Sequence, residues 1–151
     1  ITLTAIKSIF EALEIMEMGV IGLAVRQDPT PFLEQMAAAQ AEVEAALEAR
    51  DILALVEANH RFHMSFYGAA RNDYLLHGLS RIRFETKRLA YISYGPTPVP
   101  DDALRAHYAA VYREHGAMQE HLKNRSEEAL RRTCRAHIAA FRERIIGYLS
   151  V

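Results

Sequence analysis

Residues 52–70 read ILALVEANHRFHMSFYGAA, and this stretch decides the fold. Ile52, Leu55, Val56, Asn59, Phe62, His63 and Phe66 recur at steps of three and four, which places them on one face of an α-helix. That face is apolar apart from Asn59 and His63, which stand one helical turn apart. Polar side chains are costly to bury without partners, so an inward Asn and His require something to bind. Two later segments repeat the pattern: Val111, His115, Met118 and Leu122 share one face, and Leu130, Cys134, His137, Phe141 and Ile145 share another. Three helices thus each turn one imidazole toward a core.

The flanking sequence is helical nearly throughout. Ile6, Phe10, Leu13, Met16 or Glu17, Val20 and Leu23 mark a first helix over about 2–26. Asp28, Pro29 and Pro31 end it, with Thr30 as the expected N-cap of a second helix and Pro31 at its first position. The Ala- and Glu-rich run from about 31 to 48 is a strong helix former. Asp51 is placed to cap the helix that carries Asn59 and His63, and an Arg71-Asn72-Asp73 turn separates it from a fourth helix over about 73–93. Gly95-Pro96-Thr97-Pro98-Val99-Pro100 is a segment no helix crosses. Asp101 or Asp102 restarts the chain toward Leu122, and Ser126 opens a last helix ending near Leu149. No strand-like alternation competes. The expected fold is all-α, an antiparallel bundle of six to seven helices around a central metal and ligand cavity, with residues 1–151 forming one domain.

Composition narrows the functional classes. Half the residues are hydrophobic and a quarter charged, as in an ordinary globular domain, and the formal net charge is −1. That balance gives no electrostatic reason for these residues to bind nucleic acid or a membrane surface. Cys134 is the single cysteine, so no intramolecular disulfide forms. No apolar run approaches the roughly 18–20 residues that span a bilayer, and the first 25 residues, interrupted by Lys7, Glu11, Glu14 and Glu17, do not read as a signal peptide. A cytoplasmic location is expected.

Imidazoles with one side-chain oxygen suit zinc, nickel, cobalt, manganese or iron(II) better than calcium or magnesium. Asn59 lies four residues before His63, so one helix can supply two ligands. A set of neutral ligands leaves the ion its full charge, and such a site favours a small carboxylate as an added partner. Arg83, adjoining Ile82 and four residues after Leu79, is a candidate to face the cavity and pair with that anion, the alternative being a solvated or interface basic face; Arg81 and Arg88 fall on an outer stripe. His60 flanks the inward stripe, His121 lies on a polar face, and His77 and His107 fit either surface or core.

The run NHRFHMSFYGAARN (59–72), followed by DYL, resembles the signature of the FCD domain, the effector-binding domain of FadR-subgroup GntR-type transcription regulators. REHGAMQEHLKNRSEEALRRTCRAHI (113–138) is similar to that family's E-H…A…H-I stretch. The resemblance implies that Asn59, His63, His115 and His137 hold a metal, zinc or nickel, which helps to bind a small organic acid. It also implies DNA binding through a winged helix-turn-helix domain that this chain does not contain, and a homodimer as the expected assembly. Two positions depart from the family pattern: Asn59 stands where Asp is frequent, and Leu13 where the first helix often carries Arg, with Glu17 matching the Glu that follows. The alternative function is a metal-dependent hydrolase or lyase. Against it, no Asp or Glu shares a helix face with an inward histidine; Glu114 adjoins His115 but points about 100° away. An enzyme is therefore not expected.

Overall fold

Side-chain oxygens start several helices where the sequence offers them. In a computed structural model, which describes residues 1–94 and 102–149, the helices are α1 (Leu3–Ala24), α2 (Thr30–Ala49), α3 (Ile52–Gly68), α4 (Asp73–Tyr94), α5 (Asp102–Lys123) and α6 (Glu127–Leu149). Thr2 Oγ1 accepts from the Ala5 amide at 3.1 Å, Asp51 Oδ1 from Ala54 at 3.1 Å, and Asn72 Oδ1 from Leu75 at 3.0 Å. Each satisfies an amide that the helix leaves unpaired. Thr30 does not act as the expected N-cap. It is the first residue of α2, and its amide and hydroxyl both donate to Asp28 Oδ1, at 3.0 and 2.7 Å. The Asp28 carboxylate is the stronger acceptor, and the Thr30 hydroxyl is engaged as its donor.

Among the described residues no glycine takes a positive φ at a helix end, although α3 closes on Gly68. Arg50, Arg71 and Arg125 take the left-handed conformation instead, with φ of 55°, 51° and 54°. After α2, the Asp51 amide reaches Ala46 O at 3.0 Å and the Arg50 amide reaches Leu47 O at 3.2 Å. After α5, Ser126 reaches His121 O at 2.9 Å and Arg125 reaches Leu122 O at 3.0 Å. Both are Schellman turns, built with Arg where glycine is usual.

Short turns make α2/α3, α3/α4 and α5/α6 antiparallel neighbours. Packing closes the six helices into a ring in the order α1, α4, α3, α2, α5, α6, with α6 back against α1. Phe10, Leu13, Phe62, Phe66, Tyr67 and Leu89 fill the middle. Leu13 is fully buried. Gly68 is required for the α2–α3 approach: a Cβ there would stand 2.7 Å from the Phe32 ring. The expected bundle is present, with six helices and no strand among the described residues. The interruption expected at Gly95–Pro100, with Asp101, lies outside them. No described helix is long and apolar enough to cross a membrane.

Candidate metal centre

The closed ring brings three helix faces to one point. His63 of α3, His115 of α5 and His137 of α6 are all buried, and one ring nitrogen from each lies within 4.8 Å of the others. His63 Nε2 and His137 Nε2 are 3.2 Å apart. Two imidazoles sharing an ion at zinc–nitrogen bond lengths of about 2.0–2.1 Å would stand roughly 3–3.4 Å apart, so this pair needs little adjustment.

Side chains from other helices decide which nitrogen faces the centre. Gln40 of α2 donates from Nε2 to the Tyr112 carbonyl at 2.7 Å, which fixes its amide and leaves Oε1 as an acceptor. That oxygen lies 3.0 Å from His115 Nδ1, so His115 carries its proton on Nδ1. The Phe62 ring stacks on the same imidazole at 3.8 Å between centroids. His115 Nε2 is thereby held with its lone pair free, buried and without a hydrogen-bond partner. Glu114 Oε1 lies 3.5 Å from His137 Nδ1 and orients that ring in the same sense, more loosely. Acceptors on the outer nitrogen are the usual support of a metal-ligating histidine. Burial first, then the Arg83 charge and the other imidazoles, holds His63 well below the ordinary histidine range. Burial, then His137 and Arg83, does the same for His115. Both rings stay neutral, as a ligand must be.

Arg83 lies inside the bundle, not on a solvated face, but its partners are protein groups. Its Nε donates to Tyr67 Oη at 2.7 Å, and its Nη2 lies 3.2 Å from Glu17 Oε2 and 3.1 Å from His63 Nδ1. Tyr67 Oη donates in turn to Glu17 Oε2 at 2.6 Å. Glu17 and Arg83 are thus a buried ion pair from α1 and α4, bridged by a tyrosine of α3. A charged pair is tolerated at such depth only with hydrogen bonds of this kind.

Beside the histidines lies a cavity of about 20 Å³ whose polar lining includes Asn59, His60, Arg83, Lys87, His107 and His137. Asn59 Oδ1 is buried and unpartnered there, an oxygen available to an ion or ligand. His60 and His107 were not assigned to this wall by their sequence pattern. Burial, then Arg144 and His137, lowers His107 to about 4. Burial, then Lys87 and Arg83, also lowers His60. Lys87 is paired with Glu57 at 3.4 Å.

The sequence reading named Asn59, His63, His115, His137 and Arg83. The structure gathers the three imidazoles at one point and sets Asn59 and Arg83 on the adjoining cavity. Helix periodicity does not by itself mark Gln40, Tyr67 or the Glu17–Arg83 pair as parts of the site. A signal existed for two of these: Gln40 falls between Met36 and Val43 on the inward stripe of α2, and Glu17 between Leu13 and Val20 on that of α1. Glu114 points away from His115, as its position predicts, and turns instead to His137 on the neighbouring helix.

A family model described as the FCD domain matches residues 8–140. No curated protein matches the chain. Among solved structures it is similar to McbR/YncC of E. coli, with a TM-score of 0.78 at 16% identity over 92% of this chain and 66% of that one. A second similar structure is described by the statement that Lar controls the expression of the Listeria monocytogenes agr system and mediates virulence. Its TM-score is 0.74 at 18% identity, over 93% of this chain and 62% of that one. This chain spans just under two thirds of both, and at these identities the likeness is one of fold.

Proposed function

This chain belongs to the FCD domain family, whose role is ligand-sensing regulation and not catalysis, and from that premise we propose that it senses a small organic acid through a divalent metal. Asn59, His63, His115 and His137 would hold the ion, with zinc or nickel the best match to three imidazoles and an amide oxygen. The observation that carries this reading is His115 Nε2, a buried lone pair aimed at two other imidazoles with no hydrogen-bond partner. A buried polar atom left unpaired is costly, and a cation satisfies it together with Asn59 Oδ1.

The metal would supply charge. All four protein ligands are neutral, and Glu17 is already neutralised by Arg83, so a bound ion leaves the cavity positive and selects an anionic guest. About 20 Å³ holds little more than a water. A small carboxylate would therefore have to displace lining side chains or helices, which is how binding would favour one arrangement of the bundle over another. The parent protein is read as a cytoplasmic, homodimeric GntR-type regulator of the FadR subgroup, whose DNA contacts lie in a winged helix-turn-helix domain outside these residues.

The test is elemental analysis of protein purified without chelator, beside His115→Ala and His137→Ala. The unaltered chain should carry about one equivalent of metal and the variants almost none; a full equivalent in both variants refutes the site. Calorimetric titration with small mono- and dicarboxylates should give heat only in the metal-loaded form.

A further inference from the structure

We propose that Arg83 holds His63 in a non-ligating form and that Glu17 is the acceptor that replaces it, so that filling the metal site releases the Arg83 guanidinium to the cavity. The inference rests on the metal reading above and names two residues, on α1 and α4, that govern it.

A guanidinium nitrogen only donates. With Arg83 Nη2 3.1 Å from His63 Nδ1, that nitrogen accepts, and a neutral His63 carries its proton on Nε2. Nε2 is the atom turned toward His137, 3.2 Å away. A metal needs the Nε2 lone pair, and the proton of a neutral ligand then sits on Nδ1, where it would face the Arg83 donor directly. The present position of Arg83 and ligation by His63 therefore exclude one another. His115 and His137 differ on this point, since both face acceptors, Gln40 and Glu114, at Nδ1.

An acceptor for His63 is already in place. Glu17 Oε1 is buried and receives no N–H or O–H bond, although the Cys134 thiol also lies against this carboxylate, while its Oε2 takes the bonds from both Tyr67 and Arg83. Glu17 Oε2 and His63 Nδ1 share the same Arg83 nitrogen, at 3.2 and 3.1 Å, so the carboxylate is the acceptor facing the imidazole across that nitrogen and would reach it by closing over the space the nitrogen leaves. A carboxylate on the outer nitrogen of a ligating histidine is a recurrent arrangement that strengthens the ligand. Repulsion between a divalent ion and the guanidinium acts in the same direction.

Arg83 already lines the cavity. Lys87, the other permanent cation on that wall, is paired with Glu57. A released Arg83 is thus the group that would meet an incoming anion. The coupling is reciprocal: an anion that draws Arg83 into the cavity tightens metal binding by the same factor.

Long-range proton–nitrogen spectra of the chain labelled at histidine nitrogen read the tautomer of His63 directly. We expect the proton on Nε2 without metal and on Nδ1 after addition of zinc alone. Competition with a chromophoric chelator should show zinc affinity raised about tenfold in Arg83→Gln and lowered about tenfold in Glu17→Gln. A purely structural role for Arg83 predicts weaker binding or no change in Arg83→Gln, and either result overturns the proposal. Because that variant strands Glu17 and can fail to fold, the spectrum of the unaltered chain decides independently. A proton on Nδ1 of His63 before metal is added, in a chain that does bind zinc, removes this inference and leaves the metal site standing. A chain that binds no zinc removes both.

Discussion

Replacing Gln40 by Met tests how the centre is oriented, because it keeps the volume of the side chain and deletes its polarity. Two hydrogen bonds go: the 3.0 Å contact with His115 Nδ1 and the 2.7 Å bond to the Tyr112 carbonyl. The buried His115 N–H left unsatisfied costs about 1–3 kcal/mol and the lost amide bond about 1 kcal/mol. The apolar swap itself adds little. A net loss of about 2–4 kcal/mol lowers the melting temperature of a chain this size by about 4–16 °C. His115 can recover part of that by moving its proton to Nε2, and this removes the lone pair a metal needs. Metal affinity should therefore fall about 10–100-fold, or about 1.4–2.7 kcal/mol, even where the loss of stability is small. Thermal melts in chelator measure the first quantity, and chelator competition with zinc measures the second. A destabilised Gln40→Met protein with unchanged zinc affinity would refute the claim that Gln40 orients a ligating His115.

Acid should unfold the metal-free protein early. His63 and His115 are held well below their unfolded value near 6.5, so below that pH the unfolded chain binds protons the native one refuses. Stability is then fully present above about pH 6.5 and falls on acidification, by up to about 1.4 kcal/mol per pH unit for each of the two rings. Denaturant midpoints in chelator that do not change between pH 7 and 5.5 would contradict buried neutral imidazoles. Replacing Arg125 by Gly, at φ 54° in the turn after α5, should stabilise the fold by about 0.5–1 kcal/mol, since only glycine takes that conformation without strain. A melting temperature that falls in Arg125→Gly would show that the arginine side chain matters more there than its backbone.

Much of this fold is legible along the chain because a helix face is a local property. Ile52, Leu55, Phe62 and Phe66 repeat at helical spacing whatever surrounds them, and the same periodicity turns His63, His115 and His137 inward. Where local chemistry offered two acceptors, the pattern misled: Thr30 looked like a cap until Asp28, two residues earlier, proved the better oxygen. Arg83 was ambiguous for a different reason. A lone arginine beside a core stripe reads as surface unless its counter-charge is visible, and Glu17 is 66 residues away on another helix.

The sequence by itself determined that the chain is an all-helical bundle and that three imidazoles and Asn59 face its interior. Its period of 3.6 residues assigns each side chain to a side of its own helix. Only the tertiary structure decided what those imidazoles can do. The nitrogen each one presents is set by its hydrogen-bond partner, and each partner arrives from another helix: Gln40 for His115, across 75 residues, Arg83 for His63, across 20, and Glu114 for His137, across 23. Helix periodicity carries no information about such pairs, because they exist only once the six-helix ring has closed.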